Sequence, residues 1–548
     1  MTRIPGHVAV APETDVARPT PVTPQQLAML MHGDEDPESA VYGIANLLRV
    51  DEEVGAEVIA EAWRTVITEF SALRSGFTLD AQESWAITTA HEATGIPLHL
   101  CHCPGDDIDA HVEARTRDAA AEAAGRDRQV RVEVHLADRL YVIFAYHHAL
   151  LDGWSAATVI GRALAHMRHL AGLGDAPAPV SDAMPAAQRS LLAAAGSADA
   201  NDFWHQAVRR MPPSLLGQRA DGLADHRELV EEIDRDVWEA LVAVARRLGV
   251  TLPMLVTSAY ASALSKALGQ SGVTFGLVTS LRGIVEGVDE EAIGLFLNTL
   301  PYGVEPGAAE DWAQLARTMR RKTAEASQYS AVDIASLSSV THPVSQLMDT
   351  ALAFQTYPGA KGRFSDRSAS DGRQGIVTVR VQDHTHYALT ACVYPAADGR
   401  WAVRVSYDAA RVAPTVVADL IEDLLLGLRD IVEDPARPTG CVAPADAAVV
   451  DPQARPDTGS GSEDVPLTVD SPAALAVAAV WKDLLGKEFD PAEDFFLSGG
   501  SSTSAMRLAM RLQSGLGVRV PVRAIFERRT GLEIVRYLEK VTSEAGHE

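Results

Sequence analysis

Two short stretches hold residue types that could do chemistry. The first is Tyr146-His147-His148-Ala149-Leu150-Leu151-Asp152-Gly153-Trp154-Ser155. An imidazole titrates near neutral pH, so it can take or share a proton in a transition state. The two histidines follow residues 140–146 (LYVIFAY), an unbroken apolar run that reads as a central strand. Adjacent strand residues point to opposite faces, so only one of the two rings can face a given cavity. Gly153 permits a tight turn and close approach of backbone. From these residues alone, a catalytic loop, a satisfied structural cluster and part of a metal site all stay open. The metal is the weakest, because no cysteine or third carboxylate lies nearby at zinc-like spacing.

The second stretch is Asp494-Phe495-Phe496-Leu497-Ser498-Gly499-Gly500-Ser501-Ser502. It places a serine at the start of a helix behind a glycine pair. A phosphoester at that position would be favoured by free backbone N–H groups and the helix dipole. A plain N-cap explains the same serine, since serines commonly open helices.

The elements that must position these residues can be sketched from periodicity. Ile59, Trp63, Val66, Ile67 and Phe70 share one helical face. Val130, Val132, Val134 and Leu136 alternate with polar residues as a half-buried strand does. Ser155 is placed to cap a helix through Ile160, Leu164 and Met167. A helix over 252–268, a strand over 273–278 and an apolar run over 293–300 follow. Residues 387–394 and 401–407 then form a hairpin across Ala397-Asp398-Gly399. The last 80 or so residues read as a small helical bundle, with Gly515 placed to end its second helix and Thr530 with Glu533 as a capping box. Residues 444–466, rich in Pro, Gly, Ser and Asp, read as a flexible linker.

The chain has 548 residues, 47% hydrophobic and 22% charged, enough for several large cores. Acidic residues outnumber basic ones by 74 to 48, a net charge of −26. Phosphate backbones and anionic lipid surfaces would repel such a chain. No secretory h-region or membrane-length apolar stretch is present, and four scattered cysteines are no disulfide framework. A reduced, cytoplasmic protein binding neither nucleic acid nor membrane is the expectation.

The ordered set of phrases changes the reading of both stretches. His147 to Gly153 resembles the HHxxxDG motif of nonribosomal peptide synthetase condensation domains, relatives of chloramphenicol acetyltransferase. Residues 21–30 (PVTPQQLAML), 72–77 (ALRSGF), 293–299 (IGLFLNT), Asp202-Phe203-Trp204 and 354–358 (FQTYP) resemble further phrases of that family, in its order. Residues 494–502 resemble the DxFFxxGGxSL motif of peptidyl carrier proteins, and the similarity extends over most of 470–541. The resemblance implies an α/β two-lobed chloramphenicol-acetyltransferase-like condensation fold, then a C-terminal four-helix carrier bundle. The expected divisions are a disordered N-terminus at 1–20, an N-terminal lobe at 21–180, a C-terminal lobe at 181–443, a linker at 444–468, a carrier at 469–543 and a tail at 544–548.

The same resemblance implies roles. His148 faces a tunnel between the lobes as general base or amine-orienting group, and His147 supports the loop. Asp152 is structural and pairs with Arg74. Gly153 keeps the donor channel open and offers its N–H to the developing oxyanion. Ser502 bears a covalent 4'-phosphopantetheine, and no metal is required. Where the family has Arg-His-Glu before Leu-Arg, this chain has Glu69-Phe70-Ser71, so the support around Arg74 is altered. Ser501 and Thr503 depart from the usual carrier residues. Epimerization domains share HHxxxDG, but Trp154-Ser155 and a downstream carrier favour condensation.

The implied reaction joins an acyl or peptidyl thioester from an upstream donor carrier to an amine on the arm of Ser502. No stretch resembles an adenylation domain, so loading falls to an adenylation enzyme in trans, with a phosphopantetheinyl transferase adding the arm. Acyl transfer to a soluble amine or alcohol is the alternative, and a non-catalytic recruitment platform a second. Outside the motifs, His384 and His386 could be a metal pair on one strand face but read as surface or tunnel-lining residues. Cys101-His102-Cys103 reads as a reduced, unliganded loop, and Asn298 as a residue bridging loops.

Overall fold

The computed structural model describes residues 19–35, 40–79, 84–90, 100–102, 108–125, 129–136, 139–217, 224–309, 311–334, 337, 346–355, 376–396, 400–441, 471–495, 498, 502–521, 524–525, 528 and 530–545. The expectations for residues 1–18, for the linker 444–468, for residues 546–548 and for Gly499, Gly500 and Ser501 lie outside them.

The first lobe is built on strand β7 (Leu140–His147), whose run of apolar residues is buried on both faces. It pairs antiparallel with β2 (Gly43–Val50) and β6 (Val130–Leu136) in a five-stranded sheet whose other strands are β5 (Leu100–His102) and β12 (Ile376–Gln382), in the order β12-β2-β7-β6-β5. Alternation explains the unbroken run. Val142, Phe144 and Tyr146 pack against helices α2 (Ala56–Glu69) and α4 (Gly153–Leu170) with Trp63 and Val66. Tyr141, Ile143 and Ala145 face α3 (Ile108–Ala124) through Val112 and Ala120. Helix α3 lies so close that a Cβ on Gly43 would meet the Ala120 carbonyl at 1.9 Å, which only glycine avoids. Helix α1 (Pro24–Glu35) and a small sheet of β1 (Thr20–Pro21), β4 (Trp85–Thr89) and β3 (Ser75–Leu79) complete this side.

Helices α5 (Met184–Ala195) and α6 (Ala198–Val208) lead to the second lobe. Its six-stranded sheet runs β10-β9-β11-β13-β14-β8. Those strands are β8 (His226–Ile233), β9 (Val273–Ser280), β10 (Leu297–Val304), β11 (Thr350–Phe354), β13 (Leu389–Pro395) and β14 (Trp401–Asp408). Helices α7 (Arg235–Leu248), α8 (Leu252–Leu268), α9 (Trp312–Ser327) and α10 (Pro414–Glu433) pack with it around one apolar core. The expected hairpin is present as the antiparallel pair β13 and β14.

The 181–443 stretch does not stay within one lobe. Strand β12 (Ile376–Gln382) crosses back and pairs with β2, so the first sheet is completed by chain from far downstream. The apolar run at 293–300 also divides: β10 begins only at Leu297, and residues 293–296 leave the sheet for the His147–Ser155 loop.

At the C-terminus, helices α11 (Pro472–Leu485), α12 (Ser502–Leu516) and α13 (Gly531–Ala545) enclose Val477, Trp481, Leu508, Leu512, Ile534 and Leu538, with a helical turn at 524–525. The capping box is formed: Thr530 N–H reaches Glu533 Oε2 at 3.2 Å, and Glu533 N–H reaches Thr530 Oγ1 at 3.3 Å. Gly515, expected to end α12, lies inside it. Gly517 takes that role at φ 67°, in the left-handed region where a helix commonly closes. Among the described residues no single helix is long and apolar enough to cross a membrane.

Candidate active site

The loop after β7 is held by hydrogen bonds that put its two histidines in opposite tautomers. His147 is the last residue of β7 and is buried; its Nδ1 accepts the Ala149 N–H at 3.0 Å, so the ring proton sits on Nε2. Burial first, and His148 beside it second, push the His147 imidazole down to about 3, which keeps it neutral at physiological pH. His148 is half-buried and its Nδ1 lies 3.1 Å from the Leu151 carbonyl. A carbonyl can only accept, so Nδ1 carries the proton and Nε2 is the basic nitrogen. Its backbone N–H donates to the Tyr42 carbonyl at 2.7 Å. His147 is thus the buried ring of the pair and His148 the more exposed one.

Asp152 does not pair with Arg74. Its carboxylate takes a bidentate pair from Arg282, with Nη1 at 2.6 Å and Nη2 at 3.1 Å. The two side chains are 2% and 5% exposed. Asp152 also accepts the backbone N–H groups of Ser155 at 2.8 Å and Phe296 at 2.9 Å. It is therefore the N-cap of α4, three residues before the expected cap Ser155. Ser155 is turned elsewhere: its hydroxyl donates to the Gly294 carbonyl at 2.8 Å, accepts the Gly294 N–H at 3.0 Å and receives Arg282 Nη2 at 2.8 Å. Arg282 lies over the rings of Trp154 and Phe296 at 5.6 and 5.0 Å. These bonds fasten the first lobe's loop to residues 282–296 of the second. Gly153 opens α4 directly behind Asp152.

Arg74 instead closes the end of α2. Its guanidinium donates to the carbonyls of Ile67 at 2.6 Å, Thr68 at 2.7 Å and Ala90 at 3.1 Å. Carbonyls of a last helical turn lack intrahelical partners and attract a cation, which explains the arginine without any role for Asp152. The altered Glu69 is also accounted for: it binds Arg162 at 2.8 and 2.7 Å and His166 at 2.9 Å, tying α2 to α4. Burial raises the Glu69 carboxyl, but the bonds from Arg162 and His166 outweigh it and hold it below the usual range.

Two supports of the loop were not anticipated. Gln26 of the 21–30 phrase donates from Nε2 to the Ala149 carbonyl at 3.1 Å, and its own Oε1 is held by Gln188 at 2.8 Å. Tyr42 stands edge-on to His148, ring centroids 6.2 Å apart. Asn298 behaves as expected, bridging to the carbonyls of Ser330 and Val332 at 2.9 Å each. His384 and His386 are not on a strand. They stack singly on His226 and His32, and among the described residues no group of three or more potential ligands could hold a metal.

In the small domain, Ser502 is the first residue of the 15-residue helix α12. Ser498 is buried and its hydroxyl donates to Glu493 at 2.7 Å, so it is unsuited to bear a modification. A serine opening a long helix fits a phosphodiester, whose charge meets the positive end of the dipole. Helix α12 also rests on the first lobe: Arg507 Nε donates to Ser84 Oγ at 2.7 Å, and Met510 packs against the lobe's core.

Two such lobes with a histidine loop at their seam have the chloramphenicol-acetyltransferase-like fold of condensation domains. More particularly, the chain belongs to the condensation-domain family of nonribosomal peptide synthetases. The family model for the condensation domain matches residues 16–445, and that for the phosphopantetheine attachment site matches 476–538, indicating a covalent 4'-phosphopantetheine. Tyrocidine synthase 3 of Brevibacillus parabrevis is 23% identical over 73% of the chain, which spans 6% of that protein. Surfactin synthase subunit 2 of Bacillus subtilis is 24% identical over 76% of the chain, which spans 12% of it.

Among solved structures, the first condensation domain of the calcium-dependent antibiotic synthetase, in complex with a substrate analogue, aligns over 77% of this chain and 98% of its own, with TM-score 0.62 and 18% identity. The SgcC5 protein of Streptomyces globisporus, in complex with a naphthyl ethanediol and sucrose, aligns over 76% and 100%, with TM-score 0.59 and 17% identity. The third-module epimerization domain of tyrocidine synthetase B reaches TM-score 0.62 at 15% identity, over 76% and 96%. The fold is thus common to several chemistries.

The neutral buried histidines make stability pH-dependent. His147 is pushed down to about 3 and His384, chiefly by burial and then by His226, to about 4. The unfolded chain binds these protons near pH ~6.5, so their contribution is complete above that pH and is lost as pH falls towards the folded values. Each is expected to cost about 2 kcal/mol between neutral pH and pH ~5. Thermal melts across that range should fall, and His147→Asn, which cannot titrate, should flatten the slope. A melting temperature indifferent to pH over this interval would contradict the burial of both rings.

Proposed function

We propose that this chain forms an amide in nonribosomal peptide biosynthesis, with its own carrier as acceptor. The amine of an aminoacyl group on the Ser502 arm attacks the carbonyl carbon of an acyl or peptidyl thioester brought by a separate donor carrier. A C–N bond forms and the C–S bond breaks. The amine proton passes to His148 Nε2 and from there to the leaving thiolate, while the acylated arm stays on Ser502. The pantetheine supplies a thioester already activated towards amines, so positioning accounts for much of the rate. His148 accepts or orients, His147 and Asp152 hold the loop, and Gly153, which opens α4, offers its N–H to the developing oxyanion. Arg74 serves the α2 terminus and has no part in the reaction.

The observation that supports this reading best is the seat of α12 on the first lobe, which brings the carrier of this same chain against the domain that holds His148. Residues 446–475 alone separate the two matched segments, too few for an adenylation domain. Ser502 is loaded by an adenylation domain that lies outside these residues, after a phosphopantetheinyl transferase has installed the arm. Incubation of the full chain with coenzyme A and a broad transferase is expected to add one phosphopantetheine by intact mass, and none to Ser502→Ala. Equal modification of both proteins would move the attachment to another residue.

A second reading is acyl transfer to a soluble amine or alcohol. It is favoured by the diol held by SgcC5 on the same fold. The fate of the acyl group separates the two, because it stays on protein in the first and is released in the second.

A further inference from the structure

The least ordinary backbone in the site belongs to the residue beside His148. Tyr42 has φ 67° and Ala40 has φ 52°, and they are the described non-glycine residues with positive φ. A bulky aromatic side chain is an outlier in the left-handed region and persists there only where its surroundings over-determine it. At Tyr42 they do. Its N–H donates to the His384 carbonyl at 2.9 Å, its carbonyl accepts the His148 N–H at 2.7 Å, and the Gly43 N–H returns to Ala40 at 3.1 Å. Its hydroxyl is hydrogen-bonded to His386 Nδ1.

His386 is clamped in turn. Its ring stacks on His32 at 3.8 Å and 11°, and its carbonyl accepts Arg411 Nη1 at 3.2 Å. His384 and His386 both lie on the segment between β12, in the first sheet, and β13, in the second. Burial, with Tyr387 and Asp383 nearby, holds the Tyr42 phenol well above the ordinary tyrosine range, so it stays a neutral donor.

We propose that Tyr42 is a positioning residue for His148, held in its left-handed conformation by His384 and His386 of the interlobe crossover. The crossover thereby sets the orientation of the imidazole that takes the acceptor's proton. The role rests on the reading of His148 given above, but the contacts do not. A shift of one lobe against the other acts on His148 through Tyr42, which is bonded both to the His148 N–H and to the crossover that joins the lobes.

Ring-15N histidine NMR of the full chain tests this without substrate, with the His148 signals assigned by their loss in His148→Gln. Wild type is expected to show His148 with its proton on Nδ1. Tyr42→Phe keeps the ring and drops the hydroxyl. It is expected to move both His148 nitrogens towards the average of the two tautomers, and His386→Ala should do the same from the other lobe. His386→Asn, which still offers the hydroxyl a partner, should restore the wild-type shifts.

In amide formation from an acetyl N-acetylcysteamine donor onto a glycyl-loaded Ser502 arm, Tyr42→Phe should lower kcat by ~10- to 100-fold with little change in the donor KM. Unchanged His148 shifts in folded Tyr42→Phe and His386→Ala would overturn the proposal. Shifts that move while kcat does not would uphold the positioning and overturn instead the role of His148 in proton transfer.

Discussion

Truncating Arg282 to alanine is expected to destabilise the condensation lobes by about 3–5 kcal/mol, whereas truncating Arg74 costs about 1–2 kcal/mol. The difference follows from what each removal leaves behind. Without Arg282, the Asp152 carboxylate stays buried with two backbone N–H donors and no counter-ion. An uncompensated buried charge is among the costliest defects a fold can carry. The same change strips Ser155 and the Ala292 carbonyl of a donor and loosens the seam at residues 282–296.

Loss of Arg74 leaves carbonyls at the end of α2, where the residue is only part-buried and water can take over. Chemical denaturation of the single variants, with a double-mutant cycle, decides between the partners. Asp152 and Arg282 are expected to couple by more than 1 kcal/mol, and Asp152 with Arg74 to be additive. Coupling of Asp152 to Arg74 instead would reinstate the pairing that resemblance alone suggested.

That misassignment shows where a single sequence stops informing. Local rules worked where a residue's surroundings lie close in the chain. The apolar face of α2, the strand at 140–147, the hairpin of β13 and β14 and the Thr530–Glu533 box all depend on near neighbours or on period. The pairing of Asp152 with Arg74 was what the family resemblance implied, and nothing local to either residue spoke for or against it.

The true partner lies 130 positions downstream, in a loop whose only visible sign is Arg282-Gly283 after a strand. The apolar run at 293–300 hides its division for a related reason. Ile293 is buried in the core of the other lobe and Phe296 against α5, and hydrophobicity does not say which neighbour does the burying. The Ser155 cap was displaced because the helix already starts at Gly153, where the Asp152 carboxylate accepts Ser155's own N–H. Tyr42 left no trace, since nothing in its local sequence announces a left-handed tyrosine held by a strand crossover more than 300 residues away.

Replacing His148 by alanine has the largest effect expected on chemistry, a loss of ~10²–10⁴-fold in amide formation with little loss of stability. The ring is half-buried, its Nδ1–H goes to the Leu151 carbonyl, and Nε2 is left basic for an incoming amine. His147→Ala should act differently. It deletes a buried ring that packs edge-on against Phe77 and accepts the Ala149 N–H, so stability falls and activity follows only through the loosened loop.

The reaction is read most directly on the arm itself. The full chain is loaded from aminoacyl-coenzyme A thioesters by a broad phosphopantetheinyl transferase, mixed with an acyl thioester donor, and followed by intact mass. The expected result is an arm heavier by the donor's acyl group in the wild type, formed ~10²–10⁴-fold more slowly in His148→Ala. An arm that keeps its aminoacyl mass while the acyl group leaves on a soluble molecule, or an equal rate in His148→Ala, would contradict condensation onto the chain's own carrier.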